Sequence, residues 1–199
     1  MGSLFNLDSK IMQILTKIAD CIFLSLLWLA FSIPIITIGA STTALFYTNN
    51  KVIRREHGYL WRSFWDSFRQ NFKQSTFLWL LLMLVYVILG ADYYIMGHYY
   101  DEQQTLIAIL IFIGALITLW ASFWFPYISR FQDTTKTVLK NTGFIFMANL
   151  PISIGILIVF LASLGIAFFV PFSIVIIPSI SVAIANIFLD RTFEKYICK

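Results

Sequence analysis

Five stretches of this chain are long and apolar enough to cross a lipid bilayer as helices. A spanning helix needs about 20 mostly apolar residues. Residues 18–38, 76–96, 106–127, 144–168 and 169–189 each meet that length. The apolar runs are continuous, whereas membrane barrel strands alternate apolar and polar residues. Helices also pair their own backbone groups, which lipid demands because it offers no hydrogen bonds. Composition agrees: 59% of the 199 residues are hydrophobic and only 12% are charged, against about 25% charged in an ordinary soluble domain. Mean hydropathy is +0.82. The expected fold is therefore all-α, a polytopic membrane helix bundle in one domain over residues 1–199, with the lipid bilayer as its first partner. Pro171 and Ser173 mark a turn between the last two spans, since proline lacks the amide a helix needs.

Lys and Arg concentrate in three connecting segments. Lys51, Arg54, Arg55, Arg62, Arg69 and Lys73 lie between spans one and two. Arg130, Lys136 and Lys140 lie between spans three and four, and Arg191, Lys195 and Lys199 form the tail. The connection between spans two and three has only Asp101 and Glu102. Five spans put all three basic segments on one face, which the positive-inside rule makes cytoplasmic. The expected topology is N-terminus out, C-terminus in, in a plasma membrane, with Lys10 and Lys17 outside. If Pro34 instead turns span one into a re-entrant hairpin, the N-terminus moves to the basic side. A basic balance of +4 then reflects loops facing anionic lipid, and no nucleic-acid partner is expected.

Residues 41–73 form the most informative soluble segment. Ser41 or Thr42 can cap a helix starting after Gly39, with Gly58 as its stop. Trp61, Phe64, Trp65, Phe68 and Phe72 then recur at helical spacing and make one aromatic stripe. Arg62, Asp66, Arg69, Gln70 and Lys73 fill the opposite side. This pattern predicts a separate cytoplasmic amphipathic helix in the membrane interface, rings down and cations up. The same stripe, with Arg54, Arg55, Arg62 and Arg69, is the segment's candidate partner-docking surface.

Signals for chemistry are sparse. No phosphate loop, dinucleotide fingerprint, HExxH or paired CxxC occurs. His57 and His98 fall on opposite faces in this topology, so no shared metal site is expected. Cys21 and Cys198 are likewise separated, so no disulfide is expected. Asp20 and Asp92 fall near the outer ends of spans, and Lys17, one helical turn from Asp20, can pair with it. Tyr93, Tyr94, Tyr99 and Tyr100 read as an aromatic belt. Ser179, Ser181, Ala183 and Ala185 permit close helix packing. No catalytic residue, cofactor or metal is expected, and the chain does not read as an enzyme. The midplane offers Ser25, Thr118, Ser122 and Ser163, a thin polar path for a stand-alone small-solute transporter or channel.

The segments SIPIITIGASTTALFY (32–47) and GYLWRSFWDSFRQNFKQST (58–76) resemble the signature region of the YesL-like family of small bacterial membrane proteins of unknown function. ISRF (128–131), Lys140–Asn141, Asn149–Leu150–Pro151 and DRTFEKY (190–196) fit the same pattern. The resemblance implies a chain from the Bacillota, encoded beside carbohydrate ABC importers and polysaccharide-degrading enzymes. It therefore implies a non-catalytic accessory or assembly subunit of an oligosaccharide importer, partnered with its permease. The sequence lacks the E-A-A loop with which such permeases dock on their ATPase, so the chain is expected beside a permease and not in its place. The family supplies no catalytic residues.

Overall fold

The computed structural model describes the backbone over residues 10–99 and 104–197, and side chains over 11–96 and 105–193. Asp101, Glu102, Tyr100, Cys198 and Lys199 lie outside the described residues, as do the side chains of His98, Tyr99 and Lys195. Eight α-helices follow one another with no strand among the described residues: α1 Lys10–Ser32, α2 Ile38–Thr48, α3 Leu60–Tyr99, α4 Gln104–Ala121, α5 Trp124–Ile128, α6 Thr135–Ala148, α7 Leu150–Phe169 and α8 Ile177–Ile197. The chain is an all-α polytopic helix bundle.

Four helical segments are long and apolar enough to cross a membrane: Ile11–Ser32, Leu60–Met96, Thr105–Ile128 and Leu150–Phe169. The expected fifth span is corrected. A 3-10 turn, Pro171–Val175, interrupts it, and α8 reaches Asp190 and Arg191 after thirteen residues. Thirteen residues of helix cover only about 20 Å of a hydrocarbon core of about 30 Å. The fourth span begins at Leu150 and not at 144, because Asn149 leaves helical geometry (φ −134°, ψ 43°) and Pro151 sits in the first turn of α7.

Pro34 ends α1 and starts a return. A 3-10 turn, Ile35–Thr37, leads into α2, and Thr37 Oγ1 donates to Phe31 O and Pro34 O across the bend. Trp28 Nε1 donates to Thr42 Oγ1, and Ser32 and Ser41 share a hydrogen bond of 2.7 Å, so α1 and α2 form an antiparallel hairpin. The helix thus begins at Ile38, before either expected cap. Ser41 and Thr42 instead bind the hairpin together. Six residues of π-helix, Asn49–Arg54, extend α2. The chain then reverses through Glu56 at φ 57° and Gly58 at φ 90°, left-handed values at which glycine is unstrained. Lys17 Nζ lies 2.9 Å from Glu56 Oε1. Ion-paired residues share a face, so Lys17 and the basic segment are not on opposite sides as expected. Lys17 takes Glu56 as its partner in place of Asp20.

α2 is the hub of the bundle. Gly39, Ala40, Ser41, Thr43, Ala44, Leu45 and Phe46 are all buried, and the helix touches α1, α3, α5 and α8. A Cβ at Gly39 would stand 2.5 Å from Ser75 O and 2.7 Å from Trp79 Cβ. Only glycine permits that approach of α2 to α3. Thr43 and Ser75 add a buried hydroxyl pair at 2.9 Å. The surface is inverted relative to a water-soluble protein. Ile111, Phe112, Leu161 and Phe168 face outward, while Ser25, Thr43, Asn49, Ser75, Ser179 and Asn186 are buried. Small and hydroxylic residues inside and apolar ones outside are what lipid selects.

Candidate functional site

The short α8 owes its place to polar contacts. Ser179, Asn186 and Asp190 recur at seven and four residues and so share one helix face. At the start of the helix the Ser179 amide has no partner within α8. It donates to Ser25 Oγ of α1 at 3.1 Å. Asn49 of the π-helix donates through Nδ2 to Ser179 O at 3.0 Å. Asn186 Nδ2 donates to Asn49 Oδ1 at 3.3 Å, and Arg130 Nη2 donates to Asn186 Oδ1 at 2.9 Å. Arg130 Nη1 lies 2.5 Å from Asp190 Oδ1, and Arg54 Nη1 donates to Asp190 Oδ2. The chain of bonds runs from the interior to the basic end of the molecule. It ties together α1, the π-helix, the α5–α6 connection and α8.

The π-helix supplies two members of this chain. One extra residue per turn widens the backbone ring, and such segments recur at functional sites. Arg130 is held on all sides: its side chain is only 13% exposed, and its guanidinium stacks 4.9 Å from the Phe193 ring. Tyr127 and Phe131 pack edge-on to the same ring. Burial lowers the Arg130 pKa from its ordinary value, and the charge of Asp190 pulls the other way. Arg54 and Arg55 add like-charge repulsion that lowers it further.

Beside Arg130 opens a cleft of about 340 Å³, lined by Tyr47, Asn50, Lys51, Arg55 and Phe131 among others. Lys51 Nζ donates to Tyr47 Oη at 3.1 Å and sits 5.2 Å from its ring centre. Arg130 Nε and Asn50 Oδ1 are buried and have no hydrogen-bond partner. No group of three or more His, Cys, Asp or Glu able to hold a metal occurs among the described residues.

The expected docking residues divide between inside and outside. Phe64 is fully buried and Phe68 nearly so, both against Phe31 of α1 at ring separations of 5.5 and 5.1 Å. Trp65 and Phe72 are half-buried in the same cluster. Trp61 is 51% exposed and stacks parallel to Trp65 at 6.2 Å. Arg62 is exposed, with a loose contact of 3.8 Å to Asp66. Arg69 lies 5.9 Å from the Trp65 ring. Arg54 is held by Asp190, and Arg55 lines the cleft. The expected separate interfacial helix is corrected: residues 61–72 form the first turns of α3 and continue unbroken to Tyr99.

Sequence reasoning missed Asn49, Asn186 and the Arg130–Asp190 pair. Arg130 and Asp190 lie sixty residues apart, and no spacing signal links them. Among known proteins, a family model described as "Protein of unknown function, DUF624" matches residues 21–93. That region holds most of α1, all of α2 and most of α3. No curated protein and no solved structure matches the chain.

Proposed function

We propose that the chain is a non-catalytic accessory or assembly subunit in the membrane, acting beside the permease of a carbohydrate importer. The observation that carries the reading is the build of α3. Its 40 residues are about 60 Å long, twice the hydrocarbon core of about 30 Å. The apolar part begins near Phe77, and the first half, Leu60 to Thr76, carries the charges of Arg62, Asp66, Arg69 and Lys73. Phe64 and Phe68 turn inward onto Phe31, and Trp61 touches the same ring at 6.3 Å while staying half exposed, so Tyr59, Trp61, Arg62 and Arg69 offer an exposed aromatic and cationic surface. Aromatic and arginine side chains are the usual anchors of protein interfaces. The importer partner rests on the resemblance of segments 32–47 and 58–76 to the YesL-like family.

The test is a mild-detergent pull-down of tagged protein from its native host. Co-purification of a sugar-importer permease is expected, and Arg62→Glu with Arg69→Glu should release it. Recovery of the protein alone at normal yield, under several detergents, would count against the reading. A second reading, a stand-alone small-solute transporter or channel, draws on Ser25, Asn49, Ser179 and Asn186, fully buried polar side chains in continuous contact. Solute uptake abolished by Asn49→Ala in a correctly inserted protein would favour it.

A further inference from the structure

The cleft beside Arg130 has more positive charge than the protein neutralises. Lys51, Arg55 and Arg130 line it, and Arg54 is joined to Arg130 through their shared partner Asp190. Asp190 is the one acid paired with any of them among the described residues, and it is shared by Arg54 and Arg130. Glu56, the next acid along the chain, is taken by Lys17, which holds its carboxyl below the usual range. The Arg55 guanidinium makes no hydrogen bond or ion pair among the described residues. Arg130 Nε is buried without an acceptor, an arrangement that costs free energy. Lys51 spends one of its three donors on Tyr47. The Asn50 amide is also unpaired at Oδ1, and rotated by half a turn it would present a donor instead. Guanidinium groups match the geometry of phosphate oxygens, and an ammonium adds a point charge. A cleft of about 340 Å³ is roomy enough for a phosphate group and part of what it is attached to.

We propose that this cleft is an anion site for a phosphate ester, with Lys51 and Arg55 as its donors and Arg130 adding positive charge at its wall. The same chemistry is offered by the headgroup of an anionic phospholipid, since basic pockets at a membrane face bind such headgroups, and by a soluble phosphate compound. Asp190 holds the Arg130 guanidinium by Nη1 and fixes it beside the cleft. The aromatic walls of Tyr47 and Phe131 narrow the cleft around it.

The experiment uses the full-length protein in nanodiscs of phosphatidylcholine, alone or mixed with phosphatidylglycerol. Native mass spectrometry reads retained phosphatidylglycerol, and calorimetric titration with inorganic phosphate reads the soluble arm. Lys51→Gln with Arg55→Gln removes two charged donors and should weaken binding roughly 100-fold or more. Arg55→Lys should keep part of it, and the remote exposed variant Lys136→Gln should keep all of it. Circular dichroism and thermal unfolding establish that each variant is folded. Retention of phosphatidylglycerol alone assigns the site to a lipid headgroup. Phosphate binding that the double variant loses assigns it to a soluble ligand. If neither probe binds, if the folded double variant binds as the unaltered protein does, or if Lys136→Gln weakens binding as much as the double variant, the proposal is overturned.

Discussion

At the scale of single residues, two positions carry more of the fold than their size suggests. Gly39 sets the distance between α2 and α3, since a Cβ there would meet the backbone oxygen of Ser75 at 2.5 Å. Backbone cannot rotate away as a flexible side chain can. Gly39→Ala should therefore destabilise the protein by about 1–3 kcal/mol, the range of overpacking. Thermal unfolding in detergent reads it. Gly155→Ala is the control: nothing lies within 4 Å of its Cβ position, and it should hold or slightly raise the midpoint. Asp190 is the second position. Asp190→Asn leaves Arg54 and the mostly buried Arg130 without their counter-charge. A fully buried pair broken this way costs about 3–5 kcal/mol. Asp190 and Arg130 are 20% and 13% exposed, so a loss of roughly 2 kcal/mol is expected after allowance for solvent screening. An unchanged midpoint would mean that the pair is not formed.

At the scale of elements, the spans were legible and their arrangement was not. Four of the five apolar runs are spanning-length helices because burial in lipid depends on composition, which sequence displays directly. The α1–α2 hairpin was visible only as a possibility, since Pro34 announces a break without saying which way the chain turns. α2 was placed with the soluble segment because Gly39, Ala40, Ser41, Thr42 and Thr43 look polar by composition. In lipid those same small residues are what lets helices touch. The continuity of α3 had a signal that pattern-reading passed over. No glycine or proline occurs between Gly58 and Gly90, so nothing there stops a helix. Helical spacing puts the aromatic residues in one stripe, and Phe64 and Phe68 seat on Phe31 of the same chain, a tertiary contact that spacing does not display. The π-helix has no sequence signature of this kind, and the Arg130–Asp190 pair depends on tertiary placement across sixty residues. Lys73→Pro tests the continuity. Lys73 is exposed, so the change removes helical hydrogen bonding and little else. In an unbroken helix it should cost about 3 kcal/mol or more. In a linker between two helices it would be nearly neutral.

At the scale of the whole molecule, the bundle is an apolar shell around a polar spine, and its ion pairs Lys17–Glu56, Arg54–Asp190 and Arg130–Asp190 tie distant segments together. The proposed docking surface on α3 and the cationic cleft both depend on the return of the chain at Pro34, which brings the π-helix back to α8. That return is the central claim. It is tested most directly by placing cysteines at Lys17 and Glu56, with Cys21 and Cys198 replaced by alanine, and treating intact membranes with a bis-maleimide long enough to replace the Lys17–Glu56 ion pair. The account predicts that the reagent bridges the two cysteines within one chain, and that in untreated membranes both are labelled by an impermeant maleimide from the same side. Labelling of position 17 from one side and position 56 from the other, with no cross-link, would contradict it.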